Sequence, residues 1–444
     1  MLNIKNIFQQ ALEQLGSSSD TISQDLKSNK VIVQLVYLKS LSDKKKIKEF
    51  LIRPFFEIDD ANKYEMYIQS LPDAQVEEDV QTILRKLLQG SAIIIVEEKL
   101  YVIDAKKELV TSIPEATVEK VIQGPQTALT ESIGMNKCIL RNRYHQASLR
   151  FEDSIVGRLS QTPISIIYDA NLIDPKILEK LKNSLTTVKI DVLQAAGQLN
   201  KKLTKQKRTL FPTIIITERP DLIIFNLAQG KIIVLIDGTP FALIAPAVFY
   251  DFISSTEDIY QSYWISRFLI LLRYIAILIT LILPALYVGA TAFNTEIFRV
   301  QLVLSIAGSR VGVPYPAFME VFFMLIMMEF LTEASVRLPK AIGSTATTVG
   351  GLILGQAATE AALVSNIMII IVAAVAISNF VIPINSMSFA IRVTKYIILT
   401  LTTIFGMVGL ILGIMGLVVY LTHLESLGQP YFKLFLKDYI KENN

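Results

Sequence analysis

The sequence predicts an α/β soluble N-terminal region of two subdomains followed by an all-α polytopic membrane domain. Three observations predict it. Apolar residues make up 52% of the 444 residues and charged ones only 19%, against about a quarter charged in an ordinary soluble domain. The imbalance is one-sided: up to about Arg267 lysine and glutamate recur every few positions, and beyond it apolar runs follow almost to the end. Phe268 to Phe293 and Tyr396 to Leu421 each exceed the roughly 20 residues that a helix needs to cross about 30 Å of hydrocarbon.

The N-terminal segment 1–27 is amphipathic at helical spacing and lacks the long apolar core of a signal peptide, so the soluble region is expected to stay in the cytoplasm. From 28 to 124 strand and helix patterns alternate. Val31 to Leu38 reads as a strand, Asp43 to Ile52 as a helix stopped by Pro54, and Val76 to Leu88 as an amphipathic helix ending at Gly90. Ala92 to Asp104 reads as two strands around a Glu-Glu-Lys turn, and Gly124-Pro125 breaks the chain.

The second subdomain, 125–250, opens with a polar helix over 129–146. Strand Pro163 to Tyr168 leads to a helix begun by Asp174-Pro175, and a further helix over 192–207 closes in a basic run, Lys201 to Arg208. Three or four apolar strands follow from Thr213 to Ile244, turned at 218–221 and at Asp237-Gly238-Thr239-Pro240. Asp-Gly supplies the dihedrals of a hairpin turn.

The membrane domain, 251–424, is expected to hold four to six spans, with 425–444 as a short tail. Val364 to Ile384 is a third clear span. Ala317 to Leu331 and Ile342 to Ala358 are short, and the sequence leaves them open between full spans and half-helices buried against their neighbours. Positive-inside reasoning sets Arg392 and Lys395, flanking the last span on one side, against Lys433, Lys437 and Lys441 on the other. The larger count favours a cytoplasmic tail.

Several function classes are disfavoured. A net charge of +3, with no basic tract interleaved with aromatics, gives no footprint for nucleic acid. One cysteine, Cys138, permits no internal disulfide or cysteine cluster, and two histidines leave little for a metal. No P-loop, Gly-x-Ser-x-Gly or His-Glu-x-x-His is present. No catalytic residue, metal or cofactor is expected.

An ordered series of motifs resembles the GerA family of spore germination proteins along nearly the whole chain. It runs from Gln123-Gly-Pro with Glu131 and Ile139-Leu-Arg-Asn-Arg143, through Phe211-Pro212, Thr217-Glu-Arg-Pro-Asp221 and Asp237-Gly-Thr-Pro-Phe241 with Pro246. It continues with Leu272-Arg273-Tyr274, Leu283-Pro-Ala-Leu-Tyr287 and Val313-Pro-Tyr-Pro316 with Glu320. Glu333-Ala334, Arg337-Leu-Pro-Lys340, Gly343 and Gly355-Gln-Ala357 complete it. The chain departs from the pattern at Gln123, where the family has arginine, at Arg299-Val300, and in its shorter tail. The resemblance implies the A subunit of a nutrient germinant receptor in the spore inner membrane. There it would assemble with a transporter-like B subunit, a lipoprotein C subunit and further A subunits, and release cations.

Ionisable groups within a bilayer are costly unless they face protein or water. Glu320, Glu329 and Glu360 are therefore candidates for a cation path, and Glu333, Arg337 and Lys340 for an ion-pair network at a helix end. Glu320 falls on the opposite face from Glu329, so one helix cannot aim both into one pore. Arg273 either snorkels or marks a functional contact. Glu218, Arg219, Asp221 and Asp237 are candidate inter-domain or subunit contacts, with Glu218 and Arg219 as a turn ion pair. Gly351 with Gly355, and Gly406, Gly409, Gly413 and Gly416 on one face, suit close helix packing. A secondary transporter and a non-conducting scaffold in contact with membrane lipid remain the competing readings.

Overall fold

The computed structural model describes residues 4–28, 31–58, 60–97, 99–107, 114–119, 123–204, 209–338 and 340–434. In the first subdomain, α1 (Ile4–Leu15) precedes β1 (Thr21–Lys27) and β2 (Ile32–Leu38). A helical stretch follows as α2 (Lys44–Ile47), a π turn (Lys48–Ile52) and α3 (Arg53–Glu57). Pro54 does not stop this helix, as the sequence led one to expect. It is carried inside the helical run, directly after the π turn. Then come α4 (Ala61–Ser70), β3 (Gln75–Val76), α5 (Val80–Leu88), β4 (Ala92–Val96) and β5 (Lys99–Ile103).

The second subdomain runs α6 (Ile133–Arg143), β6 (Leu149–Val156), β7 (Thr162–Asp169), α7 (Pro175–Thr187) and α8 (Ala196–Leu203). It ends with β8 (Ile215–Thr217), α9 (Pro220–Ala228), β9 (Ile232–Ile236) and β10 (Ala242–Ala245). Residues 205–208 of the basic run lie outside the described set. The stretch read as three or four strands from Thr213 to Ile244 holds three, with helix α9 between the first two in place of the turn at 218–221. Pro220 at the first helical position presets φ and seeds α9.

The two sheets share one topology. Strand order is β1-β2-β4-β5-β3 in the first and β6-β7-β9-β10-β8 in the second, the same order displaced by five. Neighbouring strands are antiparallel throughout. Helices cover both faces of the first sheet: Ile47, Phe55, Tyr64 and Ile68 pack on one side, and Phe8, Leu15, Ile83 and Leu87 on the other. That explains why β4 buries all five of its residues instead of alternating. Cys138 of α6 packs into the second of these layers, so the thiol is a subdomain-interface core residue. Beside it Arg141, 1% exposed, faces Asp20 at 3.4 Å. Burial pulls the guanidinium down to about 10, with Asp20 opposing, so it stays charged at neutral pH.

After α10 (Glu257–Tyr260) the helical region comprises α11 (Tyr263–Ala292), α12 (Val300–Arg310), α13 (Ala317–Arg337), α14 (Lys340–Glu360), α15 (Asn366–Val381), α16 (Asn385–Phe405) and α17 (Met407–His423). Of these, α11 and α16 are long and apolar enough to cross a membrane. The run Tyr396 to Leu421 is not one helix. It divides at Gly406, whose φ of 61° and ψ of −144° only glycine adopts without strain, and the chain doubles back. Arg392 and Lys395 thus lie inside α16 and flank nothing. At this reversal Gly406 packs under Phe293, at the end of α11. The opposite ends of α15 and α16, Val381 and Ile384 to Ser386, border the soluble domain.

The chain after α17 returns to the second subdomain. The short hairpin β11 (Glu425–Ser426) and β12 (Gln429–Pro430) places the Ser426 hydroxyl to donate to the Thr213 carbonyl at 2.6 Å and to accept the Ala247 N–H at 3.0 Å. Backbone bonds Phe249 N–H to Tyr431 O and Tyr250 N–H to Lys433 O follow, and Tyr431 is fully buried against Phe249 and Phe252.

The glycines divide. A β-carbon on Gly409 would sit 2.1 Å from the Leu401 carbonyl oxygen, and one on Gly413 would meet Ile398 at 3.2 Å; Gly351 has only Leu331, at 3.5 Å. Gly355 and Gly416 face open space within this chain. Gly409→Ala must therefore force α16 and α17 apart, at about 1–3 kcal/mol for overpacking, and lower the melting temperature of the detergent-solubilised chain. Gly416→Ala should leave that temperature unchanged.

Candidate functional site

Two clusters bring charged side chains together. The first lies where the soluble region meets the helices. Because Pro220 starts α9 at once, Glu218 turns back toward the segment leading out of the first subdomain. Its buried carboxylate accepts the Val118 N–H at 2.6 Å and the Glu119 N–H at 3.1 Å, while its carbonyl accepts Leu129 N–H at 2.7 Å. Arg219 pairs with Asp221, not Glu218, through Nε at 3.0 Å and through Nη2. The expected Glu218–Arg219 pair is replaced because Arg219 and Asp221 flank Pro220 on one turn. Asp237 contacts neither group: it accepts the Ile133 N–H at 3.0 Å, capping α6 within its own subdomain.

From Asp221 the cluster extends to the helices. The Tyr260 hydroxyl donates to Asp221 at 3.2 Å, and its ring presses on Gly124, where a β-carbon would come within 2.7 Å. Two residues before Tyr260, Asp258 takes both Nη groups of Arg273, one at 3.0 Å, and Arg273 also donates to the Ile253 carbonyl at 3.2 Å. Arg273 therefore does not snorkel; it is buried in this contact. A cavity of about 1300 Å³ opens alongside, walled by both the soluble region and the helix ends.

Glu119 also belongs here. Its carboxylate accepts the Thr217 hydroxyl at 2.5 Å. Burial pushes it up to about 7, with the Thr217 bond and Arg219 opposing and Glu218 and Asp221 reinforcing. The sequence carried no signal for Glu119, which lies outside every motif.

The second cluster ties α13 to α16. Glu329 accepts from Arg392, from the Lys395 ammonium at 3.2 Å and from the Tyr396 hydroxyl at 3.3 Å; Arg392 also reaches the Thr332 hydroxyl at 3.0 Å. Spacing by three and four puts Arg392, Lys395 and Tyr396 on one helix face. Lys395 is 2% exposed. Glu320 lies apart, at the other end of α13. Its carboxylate accepts the Ser365 N–H at 2.6 Å and hydroxyl at 2.5 Å and stands 3.3 Å from Arg310 Nε, without hydrogen-bond alignment.

Glu333 and Arg337 pair at 2.8 Å on the exposed surface. The Lys340 side chain lies outside the described residues. Glu360 ends α14 exposed, on a stripe with Val349, Leu352, Ile353 and Gln356. Among the described residues no cluster of histidine, cysteine and carboxylates could hold a metal ion.

A family model for the Bacillus/Clostridium GerA spore germination protein matches residues 7–443. Spore germination protein GerLA of Bacillus cereus is 32% identical over 99% of this chain and 92% of its own length. Spore germination protein KA of Bacillus subtilis is 34% identical over 96% and 80%. An uncharacterized membrane protein of Bacillus subtilis, YfkQ, is 31% identical over 92% and 82%. The crystal structure of the N-terminal domain of the A subunit of the Bacillus megaterium spore germinant receptor GerK3 aligns at 26% identity and a TM-score of 0.42. That alignment covers 55% of this chain and 94% of that one.

Two consequences are measurable. The Glu119 carboxyl, raised to about 7 in the fold, has an ordinary value of about 4.3 when unfolded. Between those values the folded chain holds a proton the unfolded chain has released, so stability falls as pH rises through the window. Glu119→Gln should remove that slope, leaving the variant more stable than wild type at pH 8 by about 3–4 kcal/mol and equal to it at pH 4. At the second cluster, Glu329→Leu strands two cations and should cost about 3–5 kcal/mol in thermal unfolding. Lys395→Met leaves Glu329 paired with Arg392 and should cost far less.

Proposed function

The chain belongs to the GerA spore germination family, and from that membership we propose that it is the A subunit of a nutrient germinant receptor, coupling nutrient sensing to ion release. The observation that carries the coupling is the unbroken series of contacts from the subdomain linker to the first long apolar helix. Glu218 holds the linker, Asp221 the adjoining Tyr260, and Asp258 the buried Arg273. A shift between the subdomains has this route into α11.

Six helices, α11 and α13 to α17, cross the spore inner membrane in this reading, and α12 stays at the far side. Two facts support the count. The tail is pinned to the second subdomain, so both lie on one side and the crossings must be even. The Gly406 reversal beside Phe293 puts α16 and α17 in opposite senses. The soluble region and tail face the cytoplasm.

Conduction belongs to an assembly of A subunits together with the B and C subunits. Glu320 and Glu329 are already neutralised by Arg310, Arg392 and Lys395, so they brace helices. The exposed stripe of α14, polar at Gln356 and Glu360, is the face a second copy would meet, and a ring of Glu360 carboxylates would favour cations. The same neutralisation supports a second reading, a non-conducting scaffold.

Reconstituted receptor decides between them. Glu360→Gln should reduce cation over anion selectivity and Glu360→Arg reverse it, with Glu320→Gln leaving selectivity unchanged. Absence of any conductance, or conductance indifferent to position 360, supports the scaffold. Impermeant maleimide should label Leu159→Cys and Glu425→Cys from one side and Val311→Cys from the other; labelling of 159 and 425 from opposite sides removes the six-crossing topology.

A further inference from the structure

We propose that the linker between the two subdomains is a proton-operated clasp, held against the head of α9 while Glu119 is protonated and loosened when it ionises. The proposal deepens the coupling reading above and rests on it for its consequence. The linker doubles back: its outbound arm, 114–119, meets its return arm through Ala116 N–H to Gln126 O and Ala128 N–H to Pro114 O, each 2.7 Å. Glu218 grips both arms, the first through its carboxylate at the Val118 and Glu119 amides, the second through its carbonyl at Leu129. The Glu119 side chain adds a tie of its own. The Thr217 hydroxyl that donates to it also accepts the Arg219 N–H at 3.1 Å, so Glu119 is joined to the turn that starts α9.

Charge decides when those ties hold. Glu119, Glu218 and Asp221 crowd one guanidinium, Arg219, and Asp221 already takes two of its nitrogens. Glu218 is met by two backbone N–H groups, Glu119 by one hydroxyl. Arg143 of α6 donates to Thr127 on the return arm. Across the adjoining cavity Asp251 pairs with Lys231 and Asp258 with Arg273, and Glu257 and Arg267 share the wall. Three carboxylates there balance three cations, leaving no net charge to offset a new anion. An ionised Glu119 is therefore a buried charge facing two like charges, which is costly on both counts. In the held linker its proton stays bound up to about pH 7; on an arm released to water it is lost near the ordinary value of about 4.3. Release thus sheds a proton between those values. The held-to-released ratio falls about tenfold per pH unit across them, several hundredfold in all, and levels above pH 7. With the arm free, Glu218 no longer ties the first subdomain to the Asp221–Tyr260 contact and α11.

Nitroxide mobility on the full chain in detergent tests this. Cys138, the single cysteine, is buried, so Val118→Cys, at a site 58% exposed, takes the label alone. Its spectrum should be immobilised at pH 4.5, gain a mobile component up to pH 7 and level off above it. Glu119→Gln should keep the immobile spectrum at every pH. Thr217→Val removes a donor that favours the ionised form, so its mobile component should keep growing beyond pH 7. A Val118→Cys spectrum unchanged between pH 4.5 and 8, or a transition that survives Glu119→Gln, overturns the clasp. So does the same transition at Leu159→Cys, which reports on the body of the second subdomain and would mark general loosening. The readout requires no ion release. A clasp that opens as described, in a reconstituted receptor whose ion release is indifferent to Glu119→Gln, overturns the coupling reading and leaves the clasp standing.

Discussion

A guanidinium placed eleven residues into an apolar helix has to be met, and meeting Arg273 organises the junction of this protein. Removing a buried charge from its partner costs several kcal/mol, so Asp258 is fixed wherever Arg273 is. Fixing Asp258 fixes α10, hence Tyr260, hence the Asp221 that its hydroxyl reaches. Glu218, three residues before Asp221, then holds the linker through two backbone amides. The second tie is independent and comes from the other end of the chain: Tyr431 and Ser426 lock the exit of α17 onto the same subdomain. The first and last long helices are thus anchored to one soluble body.

Within the helices the carboxylates are spent on packing. Glu329 carries two cations, one of them almost wholly buried, and Glu320 is closed over by Ser365. Low dielectric makes such pairs strong and their desolvation dear, so they specify which helices adjoin more than they stabilise them. A carboxylate free to meet a passing ion must be unpaired and on a surface. Glu360 satisfies the second condition, since the end of α14 is exposed, and this is why, of the three candidates, it is the one proposed for the path.

What the sequence revealed follows a physical rule. Continuous apolar runs gave the strands, since burial on both faces of a sheet leaves few alternatives for β4 or β9. The i,i+4 pair Glu333–Arg337 was visible because it is local. Non-local partners were hidden: the spacing of Arg392 to Lys395 says nothing of Glu329, 63 residues earlier. The Gly406 reversal was masked for a different reason. Apolar composition is continuous through it, and a glycine among four at helical spacing looks like a packing face; only its dihedral makes it a turn. Helix α9 was missed because Leu222 to Phe225 are four apolar residues in a row, a run that strand and buried helix share.

The duplicated topology of the two subdomains bears on which of these contacts are functional. Equivalent positions in equal folds separate what the fold needs from what has been added. In both, the fourth and fifth strands are joined by a turn with a positive φ, at Glu97 in the first and Gly238 in the second, so that feature belongs to the fold. The connection from the third strand into the following helix differs. In the first copy Asp79 simply caps α5 through the Thr82 N–H and hydroxyl, and Glu77 pairs with Lys86 of its own subdomain. In the second copy the same connection, Glu218 to Asp221, has turned outward and holds the linker on one side and Tyr260 on the other. A segment with no such task in one copy and two external partners in the other is where the soluble region is tied to α10 and, through Asp258, to Arg273.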